Sequence, residues 1–226
     1  EYSPDIISFA IQYAYDDHEQ TDDEPVAPGL YEGERLKEIT DHMLLTPQMT
    51  HMHYFVWAKV FRRELILPNQ LYVDTRISMG EDVSCLIPTY LAAKRVYISR
   101  KIVYHCRCHN SSMSRKFNFA HFSEIERGVK LLREKVPDAP EGFSQAIDRY
   151  CAFMCFVLLA SAAKAGEKNI DEKLRGIWCD EFTDSFQRAT FSGITAKSRI
   201  ALALLKRKHL KAAYLFLRIC AKIKEN

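Results

Sequence analysis

Residues 57–114 read WAKVFRRELILPNQLYVDTRISMGEDVSCLIPTYLAAKRVYISRKIVYHCRCHNSSMS, and the fold is decided here. At the centre, Gly80-Glu81-Asp82 sets two carboxylates between a glycine and a helical pattern. Val83, Leu86, Ile87, Tyr90 and Leu91 recur at the spacing of one helix face, which predicts a helix over 83–93. Residues 95–99 and 102–108 alternate like two strands. Before the glycine, 65–67 is a short apolar run stopped by Pro68-Asn69, and 71–73 reads as a short strand. Free N–H groups and the helix dipole at the start of 83–93 favour negative charge, so both carboxylates are expected to be ionised at neutral pH. A general base must be ionised before it can accept a proton. Glycine lets the backbone come close to a ligand. The same three residues also fit a plain capping pair at a helix start.

Upstream, residues 5–15 (DIISFAIQYAY) are apolar and predict a strand running into a loop. The run DDHEQTDDEP breaks that pattern. Carboxylates in a block favour a solvated loop over a metal site. Pro28-Gly29 marks a turn, and Leu36, Ile39, Met43 and Leu44 predict a helix within 31–45, closed by Pro47. Residues 52–61 (MHYFVWAKVF) are rich in aromatics, with His42, His51 and His53 nearby. His51 and His53 fit metal ligands on one strand face or hydrogen-bonded side chains. Lys59, Arg62 and Arg63 read as a solvated basic face in preference to phosphate ligands.

Downstream the pattern becomes helical. Helices are expected over 120–135, 143–165, 171–186 and 198–224, separated by Pro137, Pro140, Gly166 and Gly193. The organisation is therefore an α/β part over 1–115 followed by an all-helical part over 116–226. His105-Cys106-Arg107-Cys108-His109 packs metal-type residues together. On a strand, however, the cysteines and the histidines leave opposite faces, and one ion cannot use all four.

Composition is that of an ordinary globular chain: 226 residues, 47% hydrophobic and 27% charged, with a net charge of +3. The small total charge and the lack of a base-stacking motif argue against nucleic acid as a partner. Seven cysteines without scaffold spacing read as free thiols of a cytoplasmic protein. The apolar run 151–163 is too short to span a bilayer. Basic residues interleave with apolar ones over 198–224, which fits either a helix packed on the domain or a peripheral contact with the inner face of a membrane.

In order and separation, three groups of residues resemble the family 2 glycosyltransferases, inverting enzymes of the GT-A fold. They are Trp57-x-Lys59-x-Phe61-Arg62-Arg63-Glu64-Leu65, Gly80-Glu81-Asp82 and Tyr104-x-x-Arg107-x-x-x-Ser111-Ser112-Met113-Ser114. The lead-in Ser3-Pro4-Asp5-Ile6-Ile7-Ser8-Phe9 is similar to the family's strand after the donor site, and Pro28-Gly29-Leu30-Tyr31 to its middle segment. The resemblance covers roughly residues 1–115.

It implies a partial GT-A-like sheet with helices and transfer from a nucleotide-sugar donor to a glycan or lipid-linked acceptor in surface polysaccharide assembly. By resemblance Asp82 is the general base, and Glu81 orients the acceptor or supports Asp82. Gly80 lies against substrate, and Trp57 lines the sugar floor unless it is a core residue. Arg107, His109 and Ser112 lie near the diphosphate, unless Arg107 is only a surface strand residue. The family's nucleotide-binding half, with the Asp-x-Asp that holds Mg2+ or Mn2+, has no counterpart in the sequence. The chain is therefore expected to be a truncated fragment that holds no metal, is inactive alone and is prone to self-association. The alternative reading is a non-catalytic interaction or membrane-surface protein with a degenerate transferase remnant.

Overall fold

The structure is a computed structural model and describes residues 3–44, 46–108, 117–136 and 140–225. Its organising strand is β1 (Ile6–Ala14), where the 5–15 pattern predicts one. β1 pairs in parallel with β5 (Arg95–Arg107) along its whole length. On its other edge it pairs antiparallel with β2 (Glu19–Asp22) at one end and with β4 (Lys59–Phe61) at the other. β3 (Gly29–Glu32) closes the far side antiparallel to β5, giving a mixed sheet in the order β2-β1-β5-β3. A register shift at Phe9–Ala10–Ile11 puts Ala10 and Ile11 both in the core.

Several expectations are corrected. The acidic run contains the strand β2, because pairing with Ile11–Ala14 outweighs its polar composition. The two strands expected at 95–99 and 102–108 are one strand with an irregularity where Ser99 is followed in register by Ile102. Of the strand expected at 71–73, Leu71 and Tyr72 end helix α2 (Arg63–Tyr72) and only Val73 is extended; the helix also runs through Pro68. Proline costs that helix one N–H bond, to the carbonyl of Glu64. Glu64 is exposed in the first turn, where water can serve the carbonyl. Asn69 then ties α2 down through Leu65 O at 3.1 Å and Thr89 Oγ1 at 3.0 Å. The helix expected within 31–45 begins later, as α1 (Leu36–His42), because Tyr31 is taken by β3.

Thr89 belongs to α3 (Glu81–Ala92), where Val83, Leu86, Ile87 and Tyr90 are buried as the periodicity predicts. Leu91 is half-buried, and Ser84, Cys85, Pro88 and Thr89 are buried as well, so the helix is covered on more than one face. From residue 117 onward every described element is a helix. α4 (Ala120–Lys135) and α5 (Phe143–Ala165) have the expected bounds. The single helix expected over 171–186 is two, α6 (Ile170–Ile177) and α7 (Asp180–Arg188). Trp178 turns extended between them and packs on Phe182 and Phe186 at ring distances of 5.6 and 5.4 Å. The expected 198–224 helix is a pair, α8 (Ala196–Lys206) and α9 (Leu210–Glu225), hinged where Lys208 takes φ +59°.

Helix makes up 54% of the structure and strand 16%, so helices carry most of the packing. One connected core runs from Ile6 and Val96 of the sheet through α3, α4 and α5 to Tyr214 and Leu217 of α9. α5 is 23 residues long and apolar enough to cross a bilayer, yet 61% of its apolar window is buried against neighbouring helices. Asp148 on α5 is 1% exposed and gathers Arg133 of α4 at 2.8 Å and Arg188 of α7 at 2.9 Å. That cluster ties α4, α5 and α7 together, and α3 packs on α4.

Candidate functional site

The turn before α3 is set from outside its own helix. The Glu124 carboxylate on α4 accepts from Ser78 N at 2.8 Å, Ser78 Oγ at 2.9 Å and Met79 N at 2.9 Å. Burial works against the charged form of Glu124, and the donors of Ser78 and Met79 outweigh it, so the carboxyl sits below its usual range. Next in the chain, Gly80 takes φ +87°, and a Cβ there would meet the Tyr150 hydroxyl of α5 at 2.8 Å. Glycine is required twice at this position, for the backbone angle and for the space. Two helices remote in sequence thus aim the first turn of α3.

Glu81 and Asp82 open that helix, and no side chain caps it. Asp82 instead turns to the neighbouring loop, where its Oδ2 accepts from Val56 N at 3.2 Å. Burial raises the Asp82 pKa, opposed by the Val56 N–H and by the charge of Lys59. Burial raises Glu81 as well, opposed by its own backbone N–H and aided by the charges of Asp82 and Glu124. A plain capping pair would stay bonded to its own helix; this aspartate is bonded across 26 residues of sequence.

The loop that holds Asp82 carries a column of rings. His53 stacks on Phe55 at 5.0 Å, Phe55 on Trp57 at 3.6 Å with planes 8° apart, and Trp57 meets Tyr104 of β5 at 4.6 Å. Residues 53, 55 and 57 share one side because an extended chain alternates its side chains. Tyr54 leaves the other side, stacks on His51 at 4.0 Å and meets Tyr150 edge-on at 5.6 Å. Tyr150 therefore touches both the glycine turn and the aromatic loop. Trp57 is part buried, between the rings of Phe55 and Tyr104. The loop is anchored to β1 through Phe9 N, which donates to Ala58 O at 3.0 Å. Ala58 itself is held at φ +57°, a conformation that costs an L-residue roughly 1–2 kcal/mol.

Beneath the loop lies a buried ion pair. The side chain of Lys59 is 0% exposed, and its Nζ lies 3.3 Å from Glu24 Oε1 and 4.8 Å from the Phe55 ring centre. Burial lowers the Lys59 pKa, opposed by Glu24 and then by Asp82. Glu24 also accepts from the Ser8 hydroxyl and from His53 N at 2.8 Å, while His53 Nε2 reaches Asp22 at 3.2 Å. These positions correct two expectations. Lys59 is not part of a solvated basic face, and Glu24 is not part of a solvated acidic loop, because each supplies the counter-charge that the other needs when buried. Arg62 is half exposed and pairs with Asp5 at 3.1 Å, and Arg63 is exposed.

The structure thus brings Trp57, Gly80, Glu81 and Asp82 to one place. Arg107 is exposed at the end of β5, and strand alternation puts it on the face opposite Tyr104. His109 and Ser112 lie outside the described residues. Among the described residues no group of three His, Cys, Asp or Glu side chains is placed to hold a metal ion. Cys106 and Cys108 share a face with Tyr13, whose pKa is pushed up to about 12 by burial and then by Asp22 and these thiols. Glu24, Glu124 and Tyr150 escape sequence reasoning. Lys59 stands inside the Trp57-x-Lys59 pattern, which was the signal for it. No family model matches the chain, and no curated protein or solved structure matches it.

Proposed function

We propose that this chain forms the acceptor side of an inverting nucleotide-sugar glycosyltransferase, resembling family 2, with a GT-A-like sheet and a role in surface polysaccharide or glycan assembly. The observation that carries this reading is the placement of Asp82. Its carboxylate is half buried, bonded to Val56 N, and adjoins the loop that presents Trp57. An acceptor sugar packs its C–H surface against the part-exposed edge of Trp57 and the exposed Tyr104 at the end of the ring column. Its hydroxyl then points at Asp82. Asp82 takes the hydroxyl proton while that oxygen bonds to the donor's anomeric carbon. The bond from that carbon to the diphosphate oxygen breaks, and the electron pair leaves with the diphosphate. Attack from the face opposite the leaving group inverts the centre.

The raised pKa of Asp82 makes it a stronger base than an exposed aspartate, and Lys59 limits how far burial can push it. Glu81 orients the acceptor. Glu124 and Tyr150 are positioning residues, since they act through the turn at Gly80. Mg2+ or Mn2+ would neutralise the leaving diphosphate when bound. The described residues offer no cluster that fits the ion.

Transfer by the protein from its native source, scanned over nucleotide-sugars and acceptor glycans, tests the reading. Asp82→Asn should abolish nucleoside diphosphate release while glycan binding survives. Trp57→Ala should weaken glycan binding. Full transfer by Asp82→Asn would remove Asp82 as the base, and no transfer by the wild-type protein with any donor would put the alternative, a non-catalytic surface-binding protein, in the lead.

A further inference from the structure

α9 has two apolar faces. Ala213, Tyr214 and Leu217 are buried against the rest of the helical part, and Tyr214 OH donates to Glu167 O at 2.7 Å. The opposite face carries Leu215, Ile219 and Ile223, which are 46%, 60% and 70% exposed. Their spacing of four sets them in one ridge, about 12 Å long at 1.5 Å per residue. Residues 198–224 hold eight cationic residues and no carboxylate, against a net charge of only +3 for the whole chain. The ridge therefore lies within the most basic part of the molecule. At its start opens a cleft of about 500 Å3 lined by Asp171, Arg175, Lys208, His209, Lys211 and Leu215. Asp171 is the one carboxylate there, and it pairs with Lys211 at 3.2 Å and Arg175 at 3.5 Å.

We infer that the outer face of α9 seats the protein on an anionic bilayer, with Leu215, Ile219 and Ile223 in the headgroup–acyl boundary and the Arg175–Lys208–Lys211 cleft against lipid phosphate. An exposed apolar ridge beside basic side chains matches the chemistry of that boundary. Charge selects the occupant. A second copy docked through this face would bring two basic flanks together, whereas anionic headgroups neutralise them. Each cation near such a surface contributes roughly fivefold in affinity, and salt screens it.

The test is co-sedimentation of the whole chain with phosphatidylcholine vesicles and with vesicles that also contain phosphatidylglycerol. The wild type should partition to the anionic vesicles alone and be released by high salt. Leu215→Ser/Ile219→Ser/Ile223→Ser should lower that partition at least tenfold with an unchanged unfolding curve, since all three side chains are exposed. Lys208→Glu/Lys222→Glu should lower it by a similar factor. Failure to bind anionic vesicles, or binding unchanged in the triple variant, would overturn the inference. So would a dimer, seen by sedimentation velocity without lipid, that the triple variant dissolves.

Discussion

Replacing Gly80 by alanine perturbs the site at the point where the helical part aims it. The backbone there has φ +87°, which costs alanine roughly 1–2 kcal/mol. The new methyl would meet the Tyr150 hydroxyl at 2.8 Å, and Tyr150 is 3% exposed, so it cannot simply swing away. Overpacking of this kind costs roughly 1–3 kcal/mol. Alanine recovers about 0.4–1 kcal/mol by restricting the unfolded chain. The net expectation is a loss of about 2–4 kcal/mol, read from urea unfolding followed by tryptophan fluorescence. Tyr150→Phe removes only the oxygen that is struck. In the double variant the contact part of the penalty should disappear and the backbone part should remain, giving a coupling of about 1–3 kcal/mol. A Gly80→Ala protein within about 0.5 kcal/mol of wild type, or a cycle with no coupling, would refute the close approach and the role given to Tyr150.

Other outcomes follow from the buried charges. Lys59→Met leaves Glu24 buried without its cation and should cost about 3–5 kcal/mol in the same unfolding assay. Because Lys59 holds the Asp82 pKa down, the acidic limb of kcat/KM should also move to higher pH in that variant, which a purely structural role would not produce. Glu124→Ala removes the acceptor of three hydrogen bonds and should cost about 1–3 kcal/mol at neutral pH. The folded-state pKa of Glu124 is lowered, so its contribution is present above the ordinary value of 4.5 and is lost as pH falls through the folded value. The cost of Glu124→Ala should therefore shrink in acid. Asp82 behaves oppositely. Its folded pKa is raised, so its charge weakens the fold as pH rises through that value from the ordinary 3.8. Asp82→Asn should be at least as stable as wild type at neutral pH, with the difference closing in acid.

How much of this was legible in sequence depends on whether the deciding interaction is local. α4 and α5 come out with their bounds because apolar periodicity and the flanking breakers are local signals. The turn at Gly80 is legible for the same reason. β2 is not, since its strand character comes from pairing with Ile11–Ala14 and not from its own residues. α2 defeats the usual reading of proline because an exposed first turn and the Asn69 side chain compensate for the lost bond. Glu24 and Lys59 look like solvated charges when read singly. They are 35 positions apart, and it is the pairing of β1 with both β2 and β4 that brings them together. Glu124 lies 42 residues beyond Asp82 in a helix that reads as support, and nothing in its neighbourhood announces that it holds the turn before Gly80.

The most direct measurement is nucleoside diphosphate release from a nucleotide-sugar by the native protein and its Asp82→Asn variant, with an acceptor glycan that both bind. A general base contributes about 10²–10⁴-fold, so the variant should lose at least two orders of magnitude in kcat with KM for the acceptor and thermal stability retained. A variant that transfers sugar within a few fold of wild type would contradict the assignment of Asp82 and, with it, the proposed acceptor site.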